Sequence, residues 1–291
     1  MPELPEVETI RIGLESMIRG AEINHGEIVG FPGVIEPLAI DQLNAAIAGQ
    51  EIVAVRRRAK YLLFDLSNDL TLIVHLRMTG QLLVTEPTPE PSRFERFRFV
   101  LHDGREVRYI DQRKFGRISL ADAVALERLD RNLGVEPLGE EFTAAWLAGA
   151  LAKKGGQIKP VLLDQRVIAG IGNIYADESL FRSGIHPQLP ANRLTEGQIA
   201  ELHSNLRYVL NGSIDRGGTT FSSYRNASGE SGTNQLTLQV YGLGRGDTPC
   251  PRCGGPLTCL KVAGRSSHLC PVCQQPPNTG PDAINRPSGV N

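Results

Sequence analysis

The residues with the clearest chemical potential stand at the start of the chain: Pro2, Glu3 and Glu6, within Met1-Pro2-Glu3-Leu4-Pro5-Glu6. Proline is a small second residue of the kind that permits removal of the initiator methionine, which would leave Pro2 as a free secondary amine. A terminal amine titrates near pH ~8 and a lysine near ~10.4, so at neutral pH about a tenth of the former is uncharged, against about a thousandth or less of the latter. An uncharged amine can attack an aldehyde or a sugar C1′ and form an iminium. Glu3 and Glu6 are close enough in sequence to move protons to and from the reacting groups. Met-Pro starts are also common at exposed termini with no chemistry, so the weight of this reading comes from the rest of the chain.

A second constellation lies at the other end, where Cys250-x2-Cys253 is followed by Cys270-x2-Cys273. This is the spacing of a four-thiolate structural zinc site, each pair clamping one side of a tetrahedral ion from a tight turn. Pro251 and Gly254 suit such turns. Cys259 is the odd one out, expected as a buried thiol rather than a ligand. His268 could replace a cysteine, but a spare histidine beside a finger is more often plain surface.

Two basic clusters fall between these ends: Arg56-Arg57-Arg58-Ala59-Lys60 ahead of a strand, and Lys153-Lys154 with Lys159 around a Gly-Gly turn. Each alone reads as a solvated face; on one concave surface they would bind phosphates. Gly170-Ile171-Gly172-Asn173-Ile174-Tyr175-Ala176 makes a tight turn into a helix whose free N–H groups can hold a phosphate. Leu76-Arg77-Met78-Thr79-Gly80 and Asp111-Gln112-Arg113-Lys114-Phe115-Gly116-Arg117 read as loops following strands. Met78 and Phe115 are core residues by default; exposed, they would be wedges suited to a gap in stacked bases.

These residues need elements to position them. Pro5 suits a first helical position. Val7, Ile10, Leu14, Met17 and Ile18 recur at helical spacing, which predicts a helix ending near Gly20, its N-terminus toward Pro2. The positive end of its dipole disfavours a protonated amine and favours ionised carboxylates. Over residues 21–120 the signals are mostly β: Ile52 to Val55, Tyr61 to Leu66, Leu70 to His75, the alternation around Phe97, Phe99 and Leu101, the Asp103-Gly104 turn, and Val107 to Ile110. Short strands at this spacing predict a sandwich or barrel. Thr85 to Ser92 reads as an exposed loop. Residues 122–130 read as helix, and further helices are predicted over Phe142 to Lys153, Ile158 to Ile168, Ile174 to Phe181 and Thr195 to Ile214, the last opened by a capping box at Thr195-Glu196-Gly197-Gln198. Gly217 to Thr233, rich in Gly, Ser and Thr, reads as a mobile loop. The expected domains are residues 1–131, a linker at 132–141, a helical domain at 142–248, a finger at 249–274 and a disordered tail at 275–291.

Composition narrows the class. The 291 residues suffice for two domains, and an apolar fraction of 41% is ordinary for a globular protein. No apolar run reaches spanning length, and the acidic N-terminus has no signal-peptide core, so a cytosolic location is expected. All five cysteines fall at or after Cys250, a crowding that favours metal over disulfides in a reducing compartment. A net charge of −1 leaves nucleic-acid binding to local patches.

Taken together, these motifs resemble the bacterial formamidopyrimidine-DNA glycosylases, within the wider group that contains endonuclease VIII. The likeness runs from Pro2 to about Gln274 and rests on the opening Met-Pro-Glu-Leu-Pro-Glu-Val-Glu-Thr, the central Ile-Gly-Asn-Ile-Tyr-Ala-Asp-Glu and the four-cysteine finger. The resemblance implies an α+β protein: a β-sandwich with flanking helices, then a helix-two-turns-helix domain with a zinc-finger β-hairpin. It implies excision of oxidised purines, chiefly 8-oxoguanine and formamidopyrimidines, from double-stranded DNA, then β,δ-elimination at the abasic site. It also implies a monomer holding one structural Zn2+, a bacterial cytoplasmic protein associated with the nucleoid. By motif, Pro2 would be the Schiff-base nucleophile and Glu3 the general acid, with Glu6 positioning groups around the deoxyribose. Lys60 would bind phosphate and donate a proton, and Arg265, at the finger tip, would serve δ-elimination. Met78, Arg113 and Phe115 would fill the hole left by the flipped base. Lys154, Lys159 and Asn173 would hold the DNA backbone.

The chain departs from the family pattern in places. Gln112 stands where many relatives have proline. Phe94 and Arg96 stand where a His-rich segment is usual, so a phosphate contact there would fall to Arg96. The loop near Gly232-Thr233-Asn234-Gln235, which caps the damaged base, lacks the aromatic that some relatives carry. The spread of Met78, Arg113 and Phe115 favours the purine branch. An endonuclease VIII-like enzyme for oxidised pyrimidines and a non-catalytic damaged-DNA binder are the alternatives.

Overall fold

The computed structural model describes residues 2–87, 91–243 and 248–277. The fate of Met1, the middle of the Thr85 to Ser92 loop and the tail beyond residue 277 lie outside the described residues. The chain divides into two compact units that do not follow chain order. The first comprises Met1–Phe142, Leu163–Gly172 and Leu206–Leu238; the second comprises Thr143–Leu162, Asn173–Asn205 and Gln239–Asn291.

The first unit opens with α1 (Leu4–Ile18), which has Glu3 as its N-cap and Pro5 in its first turn. The Glu6 carboxylate accepts a hydrogen bond from the Glu3 N–H at 2.9 Å, closing a capping box. Leu4, Val7, Ile10, Leu14 and Ile18 form the buried stripe, and Gly20 leaves the helix at φ +80°. Beyond α1 come β1 (Ile23–Ile28), α2 (Ile40–Ile47), β2 (Ile52–Arg58), β3 (Tyr61–Leu66), β4 (Thr71–His75), β5 (Gly80–Thr85), β6 (Glu95–Leu101), β7 (Glu106–Asp111), β8 (Arg117–Ala121) and α3 (Ala123–Arg131). The strands form two four-stranded antiparallel sheets, ordered β1-β6-β7-β5 and β2-β3-β4-β8. Val55, Leu62, Phe64 and Val74 of one sheet share a single core with Leu82, Phe97, Phe99 and Tyr109 of the other, and the α1 stripe joins it. This is the expected sandwich.

Residues 132–141 are strapped to the same unit. Val135 bridges Ile168, and Glu136 receives both terminal nitrogens of Arg57 and the Ala59 N–H. The helix predicted over Ile158 to Ile168 stops at Leu163. There the Asp164 carboxylate takes the Arg166 N–H at 3.1 Å and the Asp164 carbonyl takes the Val167 N–H at 2.8 Å, turning the chain instead.

The second unit carries α4 (Ala144–Ala152), with Thr143 as its side-chain cap, most of α5 (Ile158–Leu163) and α6 (Asn173–Arg182), and it also takes the start of α7 (Glu196–Asp215). Thr195 and Gln198 exchange the two bonds of the predicted capping box. The finger is a hairpin of β9 (Thr258–Val262) and β10 (Arg265–Leu269), packed through Cys250, Leu257 and Cys270 on Phe181 and Val240. Buried Glu178 on α6 accepts the N–H groups of Gln239, Val240 and Tyr241, which fixes the approach to the finger. Among the described residues no helix is long and apolar enough to cross a membrane.

Candidate active site

Pro2 is buried, and Glu3 and Glu6 are 3% and 2% exposed, so the chain start is lodged in the fold rather than loose in solvent. The turn at residues 170–172 holds it there. The Leu4 N–H donates to the Gly170 carbonyl at 3.0 Å. A Cβ on Gly172 would lie 2.2 Å from the Glu3 carboxyl carbon, so any other residue there would displace the Glu3 side chain. Gln165 braces the turn, accepting the Gly170 N–H at 2.9 Å and donating to the Ile171 carbonyl at 2.8 Å. The two glycines of Gly170-Ile171-Gly172 therefore serve close approach to Leu4 and Glu3. Glu6 joins a further segment: its second oxygen accepts the Thr219 N–H at 2.8 Å, and its carbonyl accepts from the Tyr224 hydroxyl at 3.4 Å. Gln165, Thr219 and Tyr224 carry no sequence signal that marks them for this work.

Lys60 reaches the same turn. It is 7% exposed and its Nζ donates to the Ile171 carbonyl at 3.0 Å. Ala59, at φ +53°, gives the sharp turn between β2 and β3 that aims it. His75 packs edge-on against Tyr61, with ring centroids 4.5 Å apart, and its Nδ1 accepts the Arg77 N–H. Burial, then the charges of Arg77 and Lys60, push its pKa down to about 3, so it stands as a neutral acceptor at pH 7. The neighbouring arginines do not form the open basic face that their run suggests. Arg56 pairs with Asp65, Arg57 with Glu8 and Glu136, and Arg58 with Asp130 and Glu136. Acids elsewhere in the fold engage all three.

Met78 and Phe115 are exposed, at 38% and 48%, and are not core. They share one open depression with Glu36, Arg77 and Arg117. Arg113 is exposed, its guanidinium carbon 4.7 Å from the centre of the Phe115 ring. Arg96 differs from the expected phosphate ligand. It is 7% exposed and donates to the Asp111 carbonyl at 2.8 Å and to the carbonyls of Arg93 and Glu95. Phe94 is half-buried beneath the Arg93 guanidinium, and its carbonyl accepts the Asp111 N–H.

The second unit holds the other expected site residues. Arg265 is exposed at the tip of the β9–β10 hairpin, beyond a turn in which Ala263 and Gly264 both have positive φ. Lys154 is half-buried at the end of α4. Lys159 departs from the surface cation that its cluster predicts. Its side chain is fully buried, with Nζ 2.6 Å from Asp177 and donating to the Ser266 carbonyl. A buried ammonium needs such a carboxylate partner. Asn173 donates to that same Ser266 carbonyl at 2.9 Å. His268 is not surface either: it is 5% exposed, with its N–H and ring on Asp177 and its ring against Tyr241.

The Sγ atoms of Cys250, Cys253, Cys270 and Cys273 all lie within 4.8 Å of one another, and Cys259 is not among them. The 3.8 Å between Cys250 and Cys273 and the 3.5 Å between Cys253 and Cys270 match the edge of about 3.8 Å that a tetrahedron with metal–sulfur bonds of about 2.3 Å requires. Burial and the other three sulfurs push the Cys273 thiol up to about 12, a penalty that a bound divalent cation removes. The donor set therefore fits a metal ion held by four thiolates.

Three family models match most of the described chain. The formamidopyrimidine-DNA glycosylase N-terminal domain matches residues 1–118, the H2TH domain of the same enzymes residues 133–225, and a zinc finger found in FPG and IleRS residues 248–276. A formamidopyrimidine-DNA glycosylase of Herpetosiphon aurantiacus is 48% identical over 274 residues, covering 94% of this chain and all of the relative. One of Enterococcus faecalis is 42% identical, covering 94% and 98%. Lactococcus lactis Fpg in complex with DNA containing an abasic site superposes with a TM-score of 0.87 at 36% identity, over 94% of this chain and 100% of that one. A mutant of the same Lactococcus lactis enzyme in complex with Fapy-dG DNA gives 0.88 at 37%, with the same coverage. With the buried Pro-Glu start, the glycine turn and the four-cysteine finger all in place, the chain belongs to the formamidopyrimidine-DNA glycosylase family.

Proposed function

We propose that this protein is a bifunctional DNA glycosylase and abasic-site lyase that excises oxidised purines from duplex DNA. The observation that carries the reading is the lodging of Glu3 and Leu4 against residues 170–172, the turn that Lys60 also contacts, with Pro2 and Glu6 buried. The Lactococcus lactis relative, crystallised with abasic-site and Fapy-dG DNA, supports the substrate class.

In this reading the Pro2 nitrogen, freed of Met1, attacks C1′ of the damaged nucleotide. The glycosidic bond breaks and its electron pair leaves with the base, which takes up a proton. Glu3 lies beside the nucleophile and supplies the carboxyl group that hands protons between amine, sugar and base. The nitrogen gives up its proton, the C1′–O4′ bond opens with O4′ taking a proton, and the iminium that forms acidifies C2′–H. Loss of that proton expels the 3′ phosphate, a second elimination expels the 5′ phosphate, and hydrolysis frees Pro2. Lys60, bonded to the turn at residues 170–172, is assigned the phosphate and proton-donor role. Arg265, exposed at the hairpin tip, serves the second elimination. Met78, Arg113 and Phe115, all solvent-facing, fill the space left by the extruded base and offset a few kcal/mol of lost stacking. Lys154 and Asn173 are the backbone contacts we retain in the second unit. Lys159 and Arg96 take supporting parts, the first holding Ser266 beside Arg265 and the second holding Asp111. The four thiolates hold Zn2+ as a structural ion that braces the hairpin.

Borohydride should trap the protein covalently on duplex DNA with 8-oxoguanine opposite cytosine. A Pro2→Gly variant should lose most of the trapping, and mass spectrometry of the wild-type adduct should place the link on a chain without Met1. Undiminished trapping by the variant would sink the assignment of the nucleophile.

A further inference from the structure

Asp111 is fully buried at the end of β7, yet its carboxylate reaches both exposed loops of the first unit. One oxygen accepts from the Thr79 hydroxyl and from the Arg113 N–H at 3.1 Å; the other accepts the Gly116 N–H at 2.9 Å. The Arg113 N–H also donates to the Thr79 hydroxyl oxygen at 3.1 Å. The Met78 loop and the Arg113–Phe115 loop are thus tied to one carboxylate and to each other, although far apart in sequence. Asp111 is itself pinned from behind, its N–H on the Phe94 carbonyl and its carbonyl under Arg96.

The glycines that close the two loops meet on one atom. A Cβ on Gly116 would lie 1.5 Å from the Tyr109 hydroxyl oxygen, and one on Gly80 would lie 2.6 Å from it. Burial, and then Asp111, raise the Tyr109 pKa, so the phenol keeps its proton and faces the Asp111 carboxylate at 3.5 Å. The side-chain bonds of Asp111 run to the two loops and to Tyr109 between them, which places its work there.

We propose that Asp111 and Thr79 are positioning residues that couple the two loops, so that Met78 enters the vacated base position together with Arg113 and Phe115. The coupling rests on the gap-filling role proposed above for those three side chains. Two separately hinged loops would each bear the entropy of ordering on the DNA; loops already fixed to one buried carboxylate enter preorganised. Thr79 is the informative position. Valine there keeps the branched shape while removing the group that donates to Asp111 and accepts from Arg113, and serine restores that group.

The test compares wild type with Thr79→Val, Thr79→Ser, Met78→Ala and Phe115→Ala, all as full-length protein. Single-turnover excision of 8-oxoguanine opposite cytosine is measured beside cleavage of a preformed abasic site, where no damaged base must be extruded. Fluorescence of a 2-aminopurine flanking the lesion follows gap filling directly. Thr79→Val should slow excision and the fluorescence change by about tenfold, the rate equivalent of one hydrogen bond to a charged group at the low end of its range, and leave abasic-site cleavage near wild type. Thr79→Ser should recover both. If Thr79→Val matches wild type while Met78→Ala and Phe115→Ala are slow, the coupling is wrong and the gap-filling role stands. If Met78→Ala and Phe115→Ala are also as fast as wild type, the gap-filling role falls and takes the coupling with it. Equal loss of both activities in Thr79→Val, unrepaired by serine, would mark Thr79 as a plain packing residue and overturn the proposal.

Discussion

Gly172 and Glu3 stand so close that a methyl group on the glycine would overlap the carboxyl group, 2.2 Å from its carbon. The turn and the N-terminal acid are therefore shaped for each other. Gly172→Ala should push Glu3 off its present position while leaving the sandwich core intact. A displacement of about 1 Å at a reacting group can lower a rate by about a hundredfold. Single-turnover excision should fall on that scale with only a small change in Tm. A variant as active as wild type would show that Glu3 has room to work elsewhere.

Glu6 accepts N–H groups with both oxygens, from Glu3 on one side and Thr219 on the other. Glutamine offers only one acceptor, so Glu6→Gln must set an amide donor against one of those N–H groups. A buried donor left without its acceptor costs about 1–3 kcal/mol. Chemical denaturation should show a loss of that size, and proteolysis should cut more readily within residues 217–233 as Thr219 is released. Unchanged cleavage there would mean the loop does not depend on Glu6.

Much of this was legible in the sequence, for physical reasons. The α1 stripe, the strand periods, the Thr195 capping box and the cysteine spacing are local signals, and each element formed where its signal lay. Burial of charge was not legible. Lys159 and Lys154 look alike in a string, but only Lys159 has Asp177 folded against it. Arg96 reads as a phosphate ligand until the β6–β7 pairing turns it onto the Asp111 carbonyl. The Arg56-Arg57-Arg58 run reads as a basic patch until acids distant in sequence, Glu8 and Glu136 among them, arrive by folding. The Gly-Ile-Gly motif reads as a phosphate turn, and its closeness to Glu3 is a tertiary fact.

His75 gives a pH signature. Its pKa is about 3 in the fold, mainly through burial, against about 6.5 in an unfolded chain. Between those values the unfolded state binds the extra proton, so stability rises with pH across the window and is lost as pH falls from about 6.5 toward 3. The slope from this one group approaches about 1.4 kcal/mol per pH unit in mid-window. His75→Asn removes the titration and retains a side-chain acceptor for the Arg77 N–H. Urea denaturation from pH 4.5 to 7 should give a shallower dependence for the variant. Parallel curves would mean that folding leaves the imidazole's pKa unchanged.

The finger should need its metal. Four cysteine sulfurs held within 4.8 Å are preorganised for one cation, whose binding displaces their protons and adds its free energy to the folded hairpin. Elemental analysis of protein purified without added metal should find one zinc per chain, and Cys270→Ser should find much less. The hairpin has other anchors, namely the Asp177 carboxylate on the His268 N–H and the Lys159 and Asn173 bonds to the Ser266 carbonyl. Metal loss should therefore loosen β9 and the segment around Cys250 before β10. Hydrogen exchange should show lost protection at Thr258–Val262 and slower loss at Ser267 and His268. The sandwich should melt as in wild type, because its core contains no residue of the finger. Full retention of zinc by Cys270→Ser, or loss of protection spread evenly over both strands, would contradict this account of how the hairpin is held.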